Sequence, residues 1–249
     1  MTARTSRLTL RVVVPDAPRR GATVEVRPLV DGADILAGAF PRGPAGEPRD
    51  LLRGESPLLA ATEPHEVRLA EAGCTEGCCG ALYVTVRRDD DQVVWSAWRN
   101  PAEAGPDLPE FRFDAREYQA EVERAVADHS WEWPAHTVAR LLESRLRSRP
   151  DWPARWDCEL EGVAAWVWEP ERINLFLLHP GHSDMRTEGA WLQFRMVLDV
   201  SGDPPDEQAE RLAERLLAGD PRQSAEVCGG SWEYARQLGY PWTRRRRGA

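Results

Sequence analysis

Alternation of apolar and polar residues in two places constrains this chain most. Residues 81–98 read ALYVTVRRDDDQVVWSAW, in which two alternating runs are separated by three consecutive aspartates. A period of two puts successive side chains on opposite faces of a strand, and a short polar insert between two such runs predicts a β-hairpin. Residues 191–200, WLQFRMVLDV, alternate in the same way, which predicts a strand with one covered and one wetter face. We therefore expect antiparallel sheets.

Helical periodicity occurs in three further segments. Asp114 followed by Glu117 is a variant of the capping box, and apolar residues recur behind it at helical spacing. Pro134 and Pro204 each stand at the start of another such segment, where proline is favoured. The sequence therefore predicts an α+β fold: a β-rich N-terminal half with one or two helices, and a C-terminal antiparallel sheet covered by helices.

A polar stretch with two prolines, RPDWPAR at residues 149–155, has the composition of a linker. It predicts a β-rich domain over residues 1–148, with the cysteine-bearing hairpin and its terminal helices, and an α+β domain over residues 149–249. One domain is the alternative, because a chain of 249 residues also suits a single large core.

Charge and composition argue against several classes of partner. The net charge is −9, and all 32 basic residues are arginine. An acidic chain repels nucleic acid and anionic membranes, so we predict neither as a partner and interpret Arg244–Arg247 as a solvated chain end. No apolar stretch approaches about 18 residues, and no signal peptide is evident. Five cysteines, an odd number, favour the reducing cytoplasm over a disulfide framework.

Three cysteines cluster in the stretch GCTEGCCG. Cys74 and Cys78 have a spacing that zinc ligands allow, but zinc is usually held by four converging ligands. If the strand begins near Cys78, alternation puts Cys78 in the core and Cys79 on the more polar face. Packing is the favoured interpretation, since cysteine behaves as a small apolar residue. A zinc site of Cys74, one of the pair, and His65 or Cys158 is the alternative.

A second candidate metal site is HPGHSD, which follows an apolar strand. His179, His182 and Asp184 offer two imidazoles and a carboxylate at a strand end, a set that zinc or iron accepts. Their H-x-x-H-x-D spacing differs from the motifs of known metallohydrolases, and no H-E-x-x-H helix is present. An exposed polar turn is the competing interpretation.

The chain holds 11 tryptophans, several in close pairs. Trp166 and Trp168 share one face of a predicted strand, and their large apolar area favours the core. Trp131 and Trp133, in SWEWP, lie outside any predicted strand. This second pair is therefore the candidate contact surface for a partner.

Three stretches carry a recognisable pattern: RLAEAGCTEGCCGALYVTVRRDDDQVVW, FRFDAREYQAEVERA and EVCGGSWEYARQLGYPW. The pattern is a cysteine-bearing turn before a hairpin ending in Val-Val-Trp, then Phe-x-Phe-Asp and a helix with tyrosine. In these features, over about a third of its length, the chain resembles a group of uncharacterised bacterial proteins, mostly actinobacterial. The resemblance implies no activity and no functional residues.

Motifs of catalysis are missing from the sequence. It contains no G-x-S-x-G, no G-x-G-x-x-G and no P-loop. We therefore predict a non-catalytic cytoplasmic interaction protein, an immunity- or regulator-like module that binds a protein partner without a cofactor. The alternative is a metal-dependent hydrolase that uses His179, His182 and Asp184, with zinc as its cofactor.

Overall fold

The protein has a mixed α+β fold, as the sequence predicts. In the described part of the chain, antiparallel sheets alternate with helices in the order expected for this class. The computed structural model describes residues 5–16, 18–41, 43–53, 56–73, 76–102, 107–181 and 190–242. Its internal contacts divide the chain into two compact units, Met1–Trp131 (unit 1) and Glu132–Ala249 (unit 2).

Unit 1 contains two antiparallel sheets, one of three strands in the order β1-β2-β3 and one of four in the order β4-β5-β6-β7. Its elements are β1 (Leu8–Val13), β2 (Glu25–Val30), β3 (Ala33–Asp34), α1 (Ile35–Ala39), α2 (Pro48–Leu51), β4 (His65–Glu71), α3 (Glu76–Cys79), β5 (Ala81–Asp89), β6 (Gln92–Arg99), β7 (Phe111–Asp114) and α4 (Ala115–Ala127).

The predicted hairpin is confirmed as β5 and β6. Asp89 pairs with Gln92, so the turn has two residues, and Asp90 takes a positive φ of 55°. Aspartate tolerates this left-handed backbone better than most residues. The inward face of the hairpin contributes Val84, Val86 and Trp95, all fully buried, to the core of unit 1.

Helix α4 begins where the capping signal predicts. The side chain of Asp114 accepts hydrogen bonds from the backbone N–H groups of Arg116 and Glu117. Tyr118, one turn into the helix, is buried, accepts a bond of 3.0 Å from Trp95 Nε1 and donates one of 2.7 Å to the Leu58 carbonyl. Because these polar atoms are paired, the aromatic cluster stabilises the core at little desolvation cost.

Unit 2 has one four-stranded antiparallel sheet in the order β11-β10-β9-β8, with α5 and α7 packed together and α5 against β8 and β9. Its elements are α5 (Pro134–Arg147), α6 (Asp151–Ala154), β8 (Glu159–Ala165), β9 (Arg172–His179), β10 (Leu192–Asp199), α7 (Pro205–Leu217), a 3₁₀ turn (Pro221–Gln223), β11 (Glu226–Gly230) and α8 (Trp232–Gln237).

The contacts place α5 in unit 2, because its apolar face packs on the second sheet and on α7. The boundary predicted from the linker composition at residues 148 and 149 falls after this helix, whereas the contacts divide the chain after Trp131. Whether the units are separate domains stays a prediction. In the residues described, no helix combines the length and the apolar character that crossing a membrane requires.

Candidate functional site

The predicted alternation at the cysteine cluster is wrong. Residues 76–79 form the helical turn α3, and strand β5 begins only at Ala81, after Gly80 with its φ of +90°. Cys78 is consequently exposed, and Cys79 is half-buried against the core of unit 1, the reverse of the expectation. The strand period does not extend back into a helical turn. Cys74 lies outside the described residues.

His179 is the one member of the predicted His/Asp site that the structure describes, since His182 and Asp184 lie outside the described residues. Its side chain is buried, its Nδ1 lies 2.7 Å from the Asp157 carbonyl, and its ring stacks on Tyr234. Within the described ranges, no three His, Cys, Asp or Glu side chains are grouped so that they would hold a metal ion. A metal site with His182 and Asp184 stays a prediction.

Trp131 and Trp133 are both half-buried. Trp131 donates a hydrogen bond of 2.9 Å from Nε1 to the Asp128 carbonyl, and Trp133 packs against the core of unit 2 with its ring 5.1 Å from that of His136. These contacts explain local order around the start of α5. Their role as a contact surface stays a prediction.

The sheet of unit 2 turns one face toward its core and a second face, here called the outer face, away from it. Strand register assigns the faces: Leu192, Phe194 and Met196 of β10 are buried in the core, so the residues between them point to the outer face. The same register gives the outer face these residues from the four strands: Glu159, Ala164, Arg172, Asn174, Phe176, Leu178, Gln193, Arg195, Val197, Asp199 and Glu226.

Two tryptophans at the end of β8 lie on the outer face. Trp166 and Trp168 stack with ring centroids 5.3 Å apart and planes 14° from parallel. Trp166 also lies 6.3 Å from the Phe176 ring, and the Arg195 guanidinium lies over it at 5.9 Å. Neither tryptophan belongs to a core cluster of the described chain, so the predicted core position is wrong. Strand β8 ends at Ala165, so the two rings stack beyond the strand and do not share a strand face as predicted.

Beneath this aromatic group lies Asn174, which is completely buried. Neither its Oδ1 nor its Nδ2 has a hydrogen-bond partner among the residues that the structure describes. On the outer face, Asn174 is the neighbour of Phe176 along β9, and its partner on β10, Val197, is the neighbour of Arg195. Trp166 contacts both Phe176 and Arg195. Its ring therefore extends over Asn174. A buried amide without partners costs about 1–3 kcal/mol, and such groups are rare in folded proteins.

The charge on the outer face is predominantly negative. It holds four carboxylates, those of Glu159, Glu161, Asp199 and Glu226, and two guanidinium groups, those of Arg172 and Arg195. Arg195 pairs with Glu226 and Arg172 with Asp199. Glu161 accepts a bond of 2.6 Å from Gln193 Nε2, and Glu159 is exposed. Among the described residues, Glu159 and Glu161 therefore have no cationic partner on this face.

A cleft of about 430 Å³ lies in unit 1 between β1, β7 and α4. Its wall carries both signs of charge, with Arg7 and Arg124 beside Glu117 and Glu121. Glu121 and Arg124 are already occupied by the backbone of Leu10 and by each other. Two of these four charged side chains are thus already engaged within the chain.

The comparisons with known proteins are negative: no protein-family model, curated protein or solved structure matches the chain. The outer face therefore has to be interpreted from its own chemistry. The one sequence signal that could have located it is the single polar residue in the apolar run INLFLL, Asn174. In a strand buried on both faces this residue is out of place, which is a reason to look for its partner.

Proposed function

We propose that this chain is a non-catalytic binding protein that takes an arginine-bearing basic segment of a protein partner on the outer face of unit 2. The observation that carries the proposal is the buried Asn174 amide, which has no partner in the described chain and lies on the same face as the stacked tryptophans. A polar group that no part of the described chain satisfies is expected to find its partner in a ligand.

An arginine side chain matches the three chemical features of this face. Its planar guanidinium stacks on tryptophan, an interaction already made within the chain by Arg195 over Trp166. Its N–H groups suit the Asn174 Oδ1. A second basic side chain of the same segment suits the carboxylates of Glu159 and Glu161, which lie further along β8. The Asn174 Nδ2 is left to donate to a backbone carbonyl of the same segment.

Access to Asn174 requires a side-chain movement. Trp166 covers the amide in the unbound chain, and rotamer changes at an interface are common while the backbone stays fixed. Trp168 holds Trp166 only by stacking, so a guanidinium that stacks on Trp168 in its place compensates for the lost contact.

The net charge of −9 supports the same class of partner. Complementary charge steers a basic partner toward an acidic surface and raises the association rate, and salt screens this effect. Binding should therefore weaken as the ionic strength rises.

Titration of the full-length protein with a hexa-arginine amide peptide tests the proposal, with tryptophan fluorescence and calorimetry as readouts. We expect saturable one-to-one binding that Trp168→Ala and Asn174→Leu each weaken at least tenfold. Trp232→Ala is the matched control, because Trp232 is 51% exposed and lies on α8. It should leave the affinity unchanged, and a hexa-glutamate peptide should not bind.

Two outcomes would overturn the proposal. One is the absence of saturable binding by the arginine peptide at low ionic strength. The other is binding that the Trp168 and Asn174 variants retain, since charge alone would then account for it.

A further inference from the structure

Two adjacent thiols in unit 1 lie unusually close together. The Sγ atoms of Cys78 and Cys79 are 3.6 Å apart, in a weak hydrogen bond that Cys79 donates. Cys78 is exposed and Cys79 half-buried, so a small reagent reaches the pair from solvent. In a strand, adjacent side chains point to opposite faces, and only the helical turn α3 brings these two sulfurs together.

The backbone on either side holds this turn in place. The Ala72 N–H donates a bond of 3.0 Å to the Gly80 carbonyl, which closes the base of the loop that carries both cysteines. Gly80 has a φ of +90°, and the amide of Asn100 occupies the space in which a β-carbon would lie. Ala81 follows and is fully buried at the start of β5. The thiol pair is thus attached directly to the core sheet of unit 1.

The distance between the sulfurs selects the geometry of a bound atom. If both sulfurs bond one atom at about 2.3 Å, the usual zinc–thiolate distance, the sulfur–atom–sulfur angle at this separation is about 100°. A linear two-coordinate ion would instead need sulfurs about 4.6 Å apart. Trivalent arsenic forms three bonds in a pyramid, with angles close to about 100°. It is also a soft atom, so it prefers sulfur to oxygen or nitrogen as a ligand.

Zinc fits the pair less well than a metalloid does. A structural zinc ion takes four ligands, and the pair by itself supplies two. An organoarsenic group already carries one bond to carbon and needs only two sulfurs to complete its pyramid.

We propose that Cys78 and Cys79 form a dithiol site for trivalent arsenicals. With an arsenoxide, R–As=O, each thiol gives up its proton and forms one sulfur–arsenic bond. The oxygen leaves with the two protons as water. Arsenic stays trivalent and sulfur stays fully reduced, so the reaction needs no oxidant or reductant.

Phenylarsine oxide is the probe, added in equimolar amount to the reduced full-length protein. Intact-mass analysis should show one phenylarsenic group, and thiol titration should show the loss of two reactive thiols. The adduct should survive excess 2-mercaptoethanol, a monothiol, and be removed by 2,3-dimercaptopropanol, because two linked thiols compete for arsenic far better than one.

Single variants locate the site. Cys78→Ser and Cys79→Ser should each abolish the adduct that survives the monothiol, whereas Cys228→Ser, which alters an exposed cysteine on β11, should retain it. Thermal unfolding checks that each variant is folded. A stable adduct in either of the first two variants, its loss in the third, or no adduct on the unaltered protein would overturn the proposal. These results are independent of arginine-peptide binding, which Trp168 and Asn174 report.

Discussion

In both units, an acidic side chain and an arginine from one helix form hydrogen bonds to the backbone of an edge strand. In unit 1, Glu121 and Arg124 of α4 bond the N–H and the carbonyl of Leu10 on β1, at 2.7 and 2.8 Å. A side-chain pair thus replaces a neighbouring strand, and it blocks an edge that would otherwise be available for pairing with another chain.

In unit 2, Glu143 and Arg147 of α5 do the same for β8, where they bond the Val163 N–H at 3.4 Å and the Glu161 carbonyl at 3.1 Å. These bonds are longer, but Glu143 is more deeply buried: its side chain is 6% exposed, against 15% for Glu121. The pairs therefore separate two quantities, the length of the bonds and the burial of the acid. Substitutions in both pairs can therefore show whether bond length or burial contributes more to the free energy of unfolding.

Removing the buried acid should have the largest effect. Glu143→Ala leaves the Val163 N–H without its partner inside the protein and should lower the free energy of unfolding by about 3 kcal/mol. Glu121→Ala should cost about 1–2 kcal/mol despite its shorter bonds, because water replaces part of what is lost. Urea unfolding of both variants measures the difference.

Glu207→Ala is the control, since Glu207 is 62% exposed beside Arg211 and should change stability by less than about 0.5 kcal/mol. A larger cost at Glu121 than at Glu143 would show that bond length outweighs burial.

Low pH should increase the difference in stability between the two units, because unit 2 holds another buried carboxylate, Glu132. Burial alone would raise its pKa, but hydrogen bonds from His136 and Arg140 outweigh burial and hold the pKa at about 2. A carboxyl with a lowered folded-state pKa adds stability above its unfolded pKa of about 4.5, and that stability is lost as the pH falls toward 2. The loss should be up to about 3 kcal/mol.

Glu132→Gln tests this pH dependence. Urea unfolding at several pH values between 6 and about 2 should give a flatter profile for the variant than for the unaltered protein. Parallel profiles would assign the acid sensitivity to other carboxyls.

Substitution of Asn174 should change the free energy of unfolding in the opposite direction, because its buried amide has no partner in the part of the chain that the structure describes. Asn174→Leu replaces the amide with an apolar side chain of similar size and should raise the free energy of unfolding by about 1 kcal/mol. Chemical denaturation measures the gain. A loss of stability would mean that the amide is satisfied in solution, and would remove the main support for the proposed binding face.

The cysteine substitutions should have the smallest effect on stability, but the two thiols should differ greatly in their rate of reaction with a disulfide reagent. Burial raises the pKa of Cys158 in unit 2 to about 11, from a usual value near 9. Its thiolate is therefore scarce at neutral pH, and its sulfur is shielded from solvent, so it should react with a disulfide reagent at least about tenfold more slowly than exposed Cys78. Stopped-flow thiol titration of Cys78→Ser and Cys158→Ser assigns the phases. Equal rates would contradict this burial.

Local patterns accounted for most of the elements. The hairpin of β5 and β6, the alternation of β10 and the Asp114 cap were predictable because each depends on residues close together in the sequence. The start of α7 at Pro205, one residue after the prediction, shows the usual uncertainty at a helix end. The candidate site was not predictable, since alternation indicated that Trp166 and Trp168 share a face but not which face the helices cover.

The sequence by itself determined the α+β class, the main hairpin and the apolar faces of the helices, because periodicity and caps act over a few residues. Only the tertiary structure decided that Trp166 and Trp168 lie outside the core, that Asn174 is buried under them, and that Cys78 and Cys79 converge on a helical turn. It also decided the closure of β1 by α4, whose bonded residues are 111 positions apart. Such contacts depend on how distant segments pack, and local pattern does not encode that.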